Sequence, residues 1–306
     1  MFDLIVIGAG PAGLSAAIYA LRGGLSTVVF DKGFYGGQVT QTPEVENYPA
    51  IRKISGMDFS DDLYGQAVAL GAQVRLEEVR SVDFGGKRKR VRTSSGELVE
   101  AKAVIVANGV ERRRLGCPGE ERFLGRGGSY CATCDGAFFK GKPVAVVGGG
   151  NTALEDALFL FKTCSEVHLI HRRETFQGDR VLSDAVLANG GIVRHIPCEV
   201  EEILGEENVS SVRIVDRSTG EKSELVVNGL FVAIGLEPRN GLFEGMLDLD
   251  GRGYIAADES CATNLEGVFA AGDTRTKLLR QIVTAAADGA VAAFQAGNYI
   301  NAVWRE

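Results

Sequence analysis

Phe2-Asp3-Leu4-Ile5-Val6-Ile7-Gly8-Ala9-Gly10-Pro11-Ala12-Gly13 opens the chain, and its reading decides the fold. Residues 2–7 form a short apolar run closed by glycine, as expected of a buried parallel strand. A G-x-G-x-x-G turn follows, then a helical stretch over 14–22 and a second apolar run over 26–30 that ends at Asp31. Strand, glycine turn, helix, strand and acid together make a dinucleotide-binding pattern. Gly8 permits the tight turn, Gly10 lets a pyrophosphate reach the backbone, and Gly13 lets helix pack on strand. Pro11 and Ala12 lie within the turn, and the helix that follows offers free N–H groups and a positive dipole end that suit phosphates. Asp31 is placed to accept a hydrogen bond from a ribose 2′-hydroxyl.

The pattern recurs further along the chain. Residues 144–147 read as a strand, Gly148-Gly149-Gly150-Asn151-Thr152-Ala153 as a G-x-G-x-x-A turn, 154–162 as a helix and 166–170 as the second strand. The position equivalent to Asp31 is His171, followed by Arg172 and Arg173. Two guanidinium groups suit a 2′-phosphate, and no carboxylate is present to hold a 2′-hydroxyl. The first site is therefore expected to take an unphosphorylated ribose such as that of FAD, and the second NADPH. The fold class expected is α/β, with two Rossmann-like, three-layer dinucleotide-binding domains.

Residues 81–109 read as short strands with turns at Gly85-Gly86 and Ser94-Ser95-Gly96. The basic run Lys87-Arg88-Lys89-Arg90 reads as the solvated edge of a hairpin. Residues 103–107 form another buried strand, ending at Asn108-Gly109, and 231–235 is its counterpart, ending at Gly235. Residues 267–273 read as strand, glycine and acid, and 281–295 as an alanine-rich helix with no third fingerprint. This last segment completes the first domain. The expected division is a discontinuous FAD-binding domain, 1–112 with 242–306, and an NAD(P)H-binding domain over 113–241.

Composition narrows the function classes. At 306 residues, 24% charged and 45% hydrophobic, the chain suits two globular domains. A net charge of -7 argues against nucleic acid as the main partner. Residues 4–21 are uncharged, but Asp3 stands where a signal peptide needs basic residues, and the glycine turn interrupts any membrane helix. Cys117, Cys164, Cys198 and Cys261 have no close cysteine neighbour and read as small buried or half-buried hydrophobes. His168, His171 and His195 lack zinc-ligand spacing, so no metal is expected. A reducing cytoplasm is the expected compartment.

The remaining cysteines carry the chemistry. Cys131-Ala132-Thr133-Cys134-Asp135 lies just ahead of the second fingerprint. A two-electron thiol pair set between two nucleotide sites can receive electrons passed from one bound dinucleotide through another. Asp135 is the adjacent acid that can shuttle a proton during thiol–disulfide exchange. The thiols precede strand 144–147, whereas nucleotide binds after it, on the order of 13 Å away. Both need the same flavin, and a domain rotation with hinges near 111–114 and 239–241 would alternate them.

These motifs resemble those of the bacterial low-molecular-weight thioredoxin reductases, over essentially the whole chain. The matching stretches are 8–13, Gly36-Gly37-Gln38, the 44–49 segment Glu-Val-Glu-Asn-Tyr-Pro, Cys131 to Gly136, 148–153, His171 to Arg173, 267–273 and Arg280-Gln281. The resemblance implies that Asp31, Lys32, Gly37, Gln38, Asn47 and Gly109 line FAD, with Asp273 at its ribityl chain and Arg280, Gln281 and Ile282 near the isoalloxazine. It implies that Cys134 faces the flavin, that Cys131 attacks a disulfide of thioredoxin or a thioredoxin-like protein, and that Asp135 is the acid–base group. It further implies Gly235 at the nucleotide site and a homodimer. One departure stands out: the family's phosphate clamp reads H-R-R-x-x-x-R, and here its last position is Gln177. A weakened NADPH preference, with some use of NADH, is expected. The rival readings are a flavin-dependent dithiol oxidase, a relative drawing on another electron donor, and a flavoprotein redox sensor without turnover.

Overall fold

The structure, a computed structural model, describes residues 1–42 and 45–304; the side chains of Gln41 and Cys134 lie outside that description. Glu44 of the 44–49 motif also falls outside it. The chain divides into two compact units, 1–111 with 237–306, and 112–236. The two crossings fall in short strands, Val110–Arg112 and Leu236–Pro238, which pair with each other.

In the first unit a seven-stranded sheet runs in the order Gln73–Arg75, Thr27–Phe30, Phe2–Ile7, Leu98–Val106, Lys89–Thr93, Val79–Asp83. Its first four strands are parallel and its last two antiparallel. Val268–Ala270 also pairs parallel to Leu98–Val106, along residues 104–106. The late segment thus completes the sheet begun at the N-terminus. Alternate residues of the central strands feed two cores, one around Leu4, Leu14 and Ile105, the other around Ile5, Phe30 and Val104. Central strands buried on both faces explain the near-continuous apolar runs. The helices Pro11–Arg22 and Ile282–Val303 pack closely, and a Cβ on Gly289 would meet the Ala12 carbonyl oxygen at 2.1 Å.

Lys89–Thr93 is an interior strand, with Val79–Asp83 outside it. Lys89 is buried, and its Nζ donates to the carbonyls of Phe84 and Gly86 at 2.9 and 3.0 Å. The run 87–90 is therefore not wholly a solvated edge: one of its lysines closes a turn.

The second unit holds a five-stranded parallel sheet in the order Ile192–His195, Glu166–Ile170, Pro143–Val147, Gly229–Val232, Gly128–Ser129. Helix Asn151–Phe161 follows the central strand, as strand–turn–helix order requires. An antiparallel sheet of Cys198–Gly205, Val209–Asp216 and Lys222–Val226 lies between the last two strands of that fold in sequence. The fold is α/β, with one Rossmann-like sheet per unit. No helix of the described residues is long and apolar enough to cross a membrane.

Candidate functional site: two dinucleotide turns and a redox helix

The first turn is built by packing constraints on its glycines. Gly8 has φ 111°, and a Cβ on Gly13 would lie 1.8 Å from the Gly8 carbonyl oxygen. Gly10 is different: a Cβ there meets only the Gly37 Cα, at 4.0 Å. The open backbone is at Gly10, beside the N-terminus of helix Pro11–Arg22, where a phosphate needs room. Gly36 donates its N–H to the Ala9 carbonyl at 2.8 Å, which brings Gly37 and Gln38 to this turn. Gln38 in turn donates to the Val110 carbonyl at 2.5 Å. Asp31 accepts from the N–H groups of Ala9 at 2.8 Å and Gly33 at 3.0 Å, so its carboxylate also braces the turn it is expected to serve. Lys32 pairs with Glu111, which also holds Arg239 at 2.9 Å.

The completing segment and the turn after strand Leu98–Val106 each supply an unfilled polar group. Asp273 Oδ1 and Asn108 Oδ1 are buried without a hydrogen-bond partner. Burial pushes the Asp273 carboxyl above its usual range, against the pull of Lys277 and Arg280. Buried polar atoms are rarely left unpaired, so an orphaned carboxylate oxygen calls for a ligand hydroxyl. Asn47 donates to Gln281 at 3.0 Å, and Ile282 opens the last helix against Val39, Val45 and Phe59. Arg280 lies over the Tyr254 ring at 4.1 Å. Gly109 has φ 66°, directly after Asn108. An open glycine turn, a braced carboxylate and an orphaned buried oxygen fit a bound dinucleotide. Beneath them Asp288 holds Arg275 through two bonds of 2.9 Å, Lys277 at 2.8 Å and the Gly272 N–H at 2.9 Å.

The second turn repeats the first. A Cβ on Gly148 would meet the Ala233 carbonyl oxygen at 2.3 Å, while Gly150 has nothing within 4 Å. Asn151, Thr152 and Ala153 open the helix, with Asn151 tied to Asp179 at 2.7 Å. Gly235 has φ 97° and accepts from the Arg113 N–H at 3.0 Å. His171 is buried against the turn: a Cβ on Gly149 would sit 2.3 Å from its ring. Its Nε2 donates to the Thr175 carbonyl at 3.0 Å, and burial, with Arg173 and Arg172 nearby, lowers its pKa. His171 is therefore a neutral packing group, while Arg172 and Arg173 are exposed. The N–H of Gln177 donates to the Gly149 carbonyl at 2.7 Å.

Cys131 is disulfide-bonded, and Ala132–Asp135 forms one short helix. The Cys134 side chain lies outside the described residues. Ser129, which the sequence reading passed over, organises this end of the motif. Its hydroxyl donates to Asp135 Oδ2 at 2.6 Å and accepts from the Cys131 N–H at 3.0 Å. Tyr130 is anchored too, donating to Glu120 at 2.7 Å, and Glu120 accepts the N–H groups of Leu115 and Gly116 at 2.8 Å each. Cys117, Cys164, Cys198 and Cys261 are free thiols, half-buried or buried. Burial raises the pKa of all four, to about 11 at Cys117 and about 12 at Cys261, so the reactive thiolate form is suppressed. No group of three or more His, Cys, Asp or Glu among the described residues is arranged to hold a metal.

Comparison with known proteins agrees with this geometry. Residues 2–289 match the family described as pyridine nucleotide-disulphide oxidoreductase. A thioredoxin reductase of Treponema pallidum is 44% identical over 98% of this chain and 97% of its own. One from Bacillus subtilis is 42% identical over 98% of this chain and 95% of its own. The crystal structure of Lactococcus lactis thioredoxin reductase superposes with a TM-score of 0.84 at 34% identity, covering 99% of this chain and 100% of that one. The family implies a flavin and a pyridine nucleotide. The chain belongs to the pyridine nucleotide-disulphide oxidoreductase family.

Proposed function

We propose that the protein is a thioredoxin-disulfide reductase, carrying electrons from NADPH by way of FAD to the Cys131–Cys134 pair and on to thioredoxin or a thioredoxin-like protein. The observation that carries the reading is the redox helix: Cys131 is disulfide-bonded beside a Ser129–Asp135 hydrogen bond, in the unit that also holds a complete second dinucleotide turn. The full-length relatives named thioredoxin reductase support it. An intact second turn speaks against a dithiol oxidase.

The first unit would hold FAD, with Gly8, Gly10 and Gly13 at the pyrophosphate, Asp31 at the ribose, and Asp273 at a ligand hydroxyl. The second would hold NADPH, with Gly148, Gly150 and Ala153 at the pyrophosphate and Arg172 and Arg173 at the 2′-phosphate. When bound, the flavin accepts a hydride from the nicotinamide and delivers the electron pair to a disulfide. The protein's own part is thiol exchange. The Cys131 thiolate attacks one sulfur of the partner's disulfide, and the other partner sulfur leaves as a thiolate. Cys134 then attacks Cys131 in the mixed disulfide, which re-forms the Cys131–Cys134 bond and frees the reduced partner. Asp135, held by Ser129, takes the proton released as Cys131 ionises and returns it to the leaving sulfur. A cytoplasmic homodimer that binds neither nucleic acid nor membrane belongs to the same proposal; the net charge of -7 supports its nucleic-acid part.

Anaerobic reductive titration of the yellow protein tests this. Flavin and disulfide each take two electrons, so about four are expected per chain, falling to about two in Cys131→Ser. An uptake of about two in the parent protein, or extraction of FMN in place of FAD, would overturn the proposal.

A further inference from the structure

The second turn lacks the third arginine of its family's clamp, because Gln177 occupies that position. Another arginine reaches the same end of the sheet by a different route. The His171 carbonyl, at the carboxyl end of strand Glu166–Ile170, accepts from the Cys198 N–H at 2.9 Å. Cys198 pairs in register with Asp216, and the Arg217 N–H donates to the Pro197 carbonyl at 2.8 Å. These main-chain bonds fasten residue 217 beside the His171–Arg173 corner. Its guanidinium Nη1 then donates to the Arg172 carbonyl at 3.4 Å. In sheets of this kind ligands bind outside the carboxyl ends of the strands.

We propose that Arg217 is a third cation of the 2′-phosphate site, doing from the antiparallel sheet what position 177 does in relatives. The inference rests on the reading that the second turn takes NADPH. Arg217 is already paired with Glu199, Nε to Oε2 at 3.5 Å, with side chains 48% and 51% exposed. Such a solvated pair is worth little, so turning the guanidinium toward a phosphate costs little. A phosphate dianion accepts a planar, bidentate donor better than a carboxylate rim contact does. Burial, with Arg173 and Arg172 nearby, lowers the pKa of His171, so the positive charge offered at this corner is that of the guanidinium groups of Arg172, Arg173 and Arg217, the last of them paired with Glu199.

The test is calorimetric binding of 2′,5′-ADP and of 5′-AMP to the full-length flavoprotein, a readout independent of turnover. Arg217→Gln should weaken 2′,5′-ADP about three- to tenfold and leave 5′-AMP unchanged, with Arg217→Lys recovering part of the loss. Glu199→Gln should tighten 2′,5′-ADP about twofold, because it releases Arg217 from its competitor. If Arg172→Gln weakens 2′,5′-ADP but Arg217→Gln does not, the inference is wrong and the NADPH reading stands. If neither variant matters, both are wrong. Equal weakening of 2′,5′-ADP and 5′-AMP by Arg217→Gln would mark a purely structural residue and also overturn the inference.

Discussion

The backbone N–H of Gln177 and the carbonyl of Gly149 lie 2.7 Å apart, so residue 177 is fastened directly to the second dinucleotide turn. Gly178 bonds the same carbonyl at 3.0 Å. A longer, charged side chain at 177 would start from that anchored main chain. Gln177→Arg is expected to lower the KM for NADPH about three- to tenfold and leave that for NADH unchanged. Steady-state kinetics with both donors checks it. An equal response of the two donors would put residue 177 away from the phosphate.

Ser129 joins the Cys131 N–H to the Asp135 carboxylate. Removing the hydroxyl leaves both without that partner, while the nucleotide turns are untouched. Ser129→Ala should cut thioredoxin reduction about tenfold and shift its pH profile, with flavin content and bleaching by NADPH unchanged. Loss of flavin in that variant would assign Ser129 to folding instead of proton handling.

Asp156, on the helix after the second turn, has its pKa pushed up to about 6 by burial and by adjacent Glu155, against the pull of Arg112. A carboxyl whose folded pKa exceeds its unfolded one favours the fold when protonated. That contribution is complete below about pH 4 and is lost as pH rises through about 6. Asp156→Asn keeps the neutral shape at every pH. It should be more stable than the parent by about 1–2 kcal/mol at pH 8, with the difference vanishing near pH 4. Denaturant titrations at the two pH values decide it; an unstable variant at pH 8 would mean that pairing with Arg112 outweighs burial.

Asp288 behaves oppositely. Burial alone would raise its pKa, but hydrogen bonds and charges from Arg275 and Lys277 hold it below the usual carboxylate range. Its contribution is present above an unfolded pKa of about 3.9 and is lost as pH falls through the lower folded value. Asp288→Asn strips two buried cations of their counter-charge and should cost about 3–5 kcal/mol. Thermal melts at pH 7 measure it, and a drop in Tm of only a degree or so would show that the cluster has little weight.

The repeat was legible because its signals are local. Each glycine turn stands directly between a strand and a helix, and Asp31 and His171 fall at corresponding positions. The return of 268–270 to the first sheet could be read as well, since an acid after a strand with no third fingerprint needs an existing sheet to join. Ser129 was not legible: its bond to Asp135 exists only because four residues, 132–135, wind into a helical turn. Lys89 was missed because charge suggests solvent, and only the fold supplies the carbonyls that let a lysine be buried. The helix Gly56–Ala69 went unread although Ser55 caps it by accepting the Asp58 N–H at 3.0 Å, a signature visible in sequence. Arg217 escaped notice because main-chain bonds from Cys198 to His171 and from Arg217 to Pro197 bring its side chain to Arg172, 45 residues away in sequence.

The most direct test is transfer itself. The protein is reduced anaerobically with two equivalents of NADPH, enough for both disulfide and flavin, and then mixed with oxidised bacterial thioredoxin, while flavin absorbance and thioredoxin thiols are followed together. The account predicts that the flavin colour returns as two thiols appear on each thioredoxin reduced. A flavin that stays bleached while thioredoxin stays oxidised would contradict it.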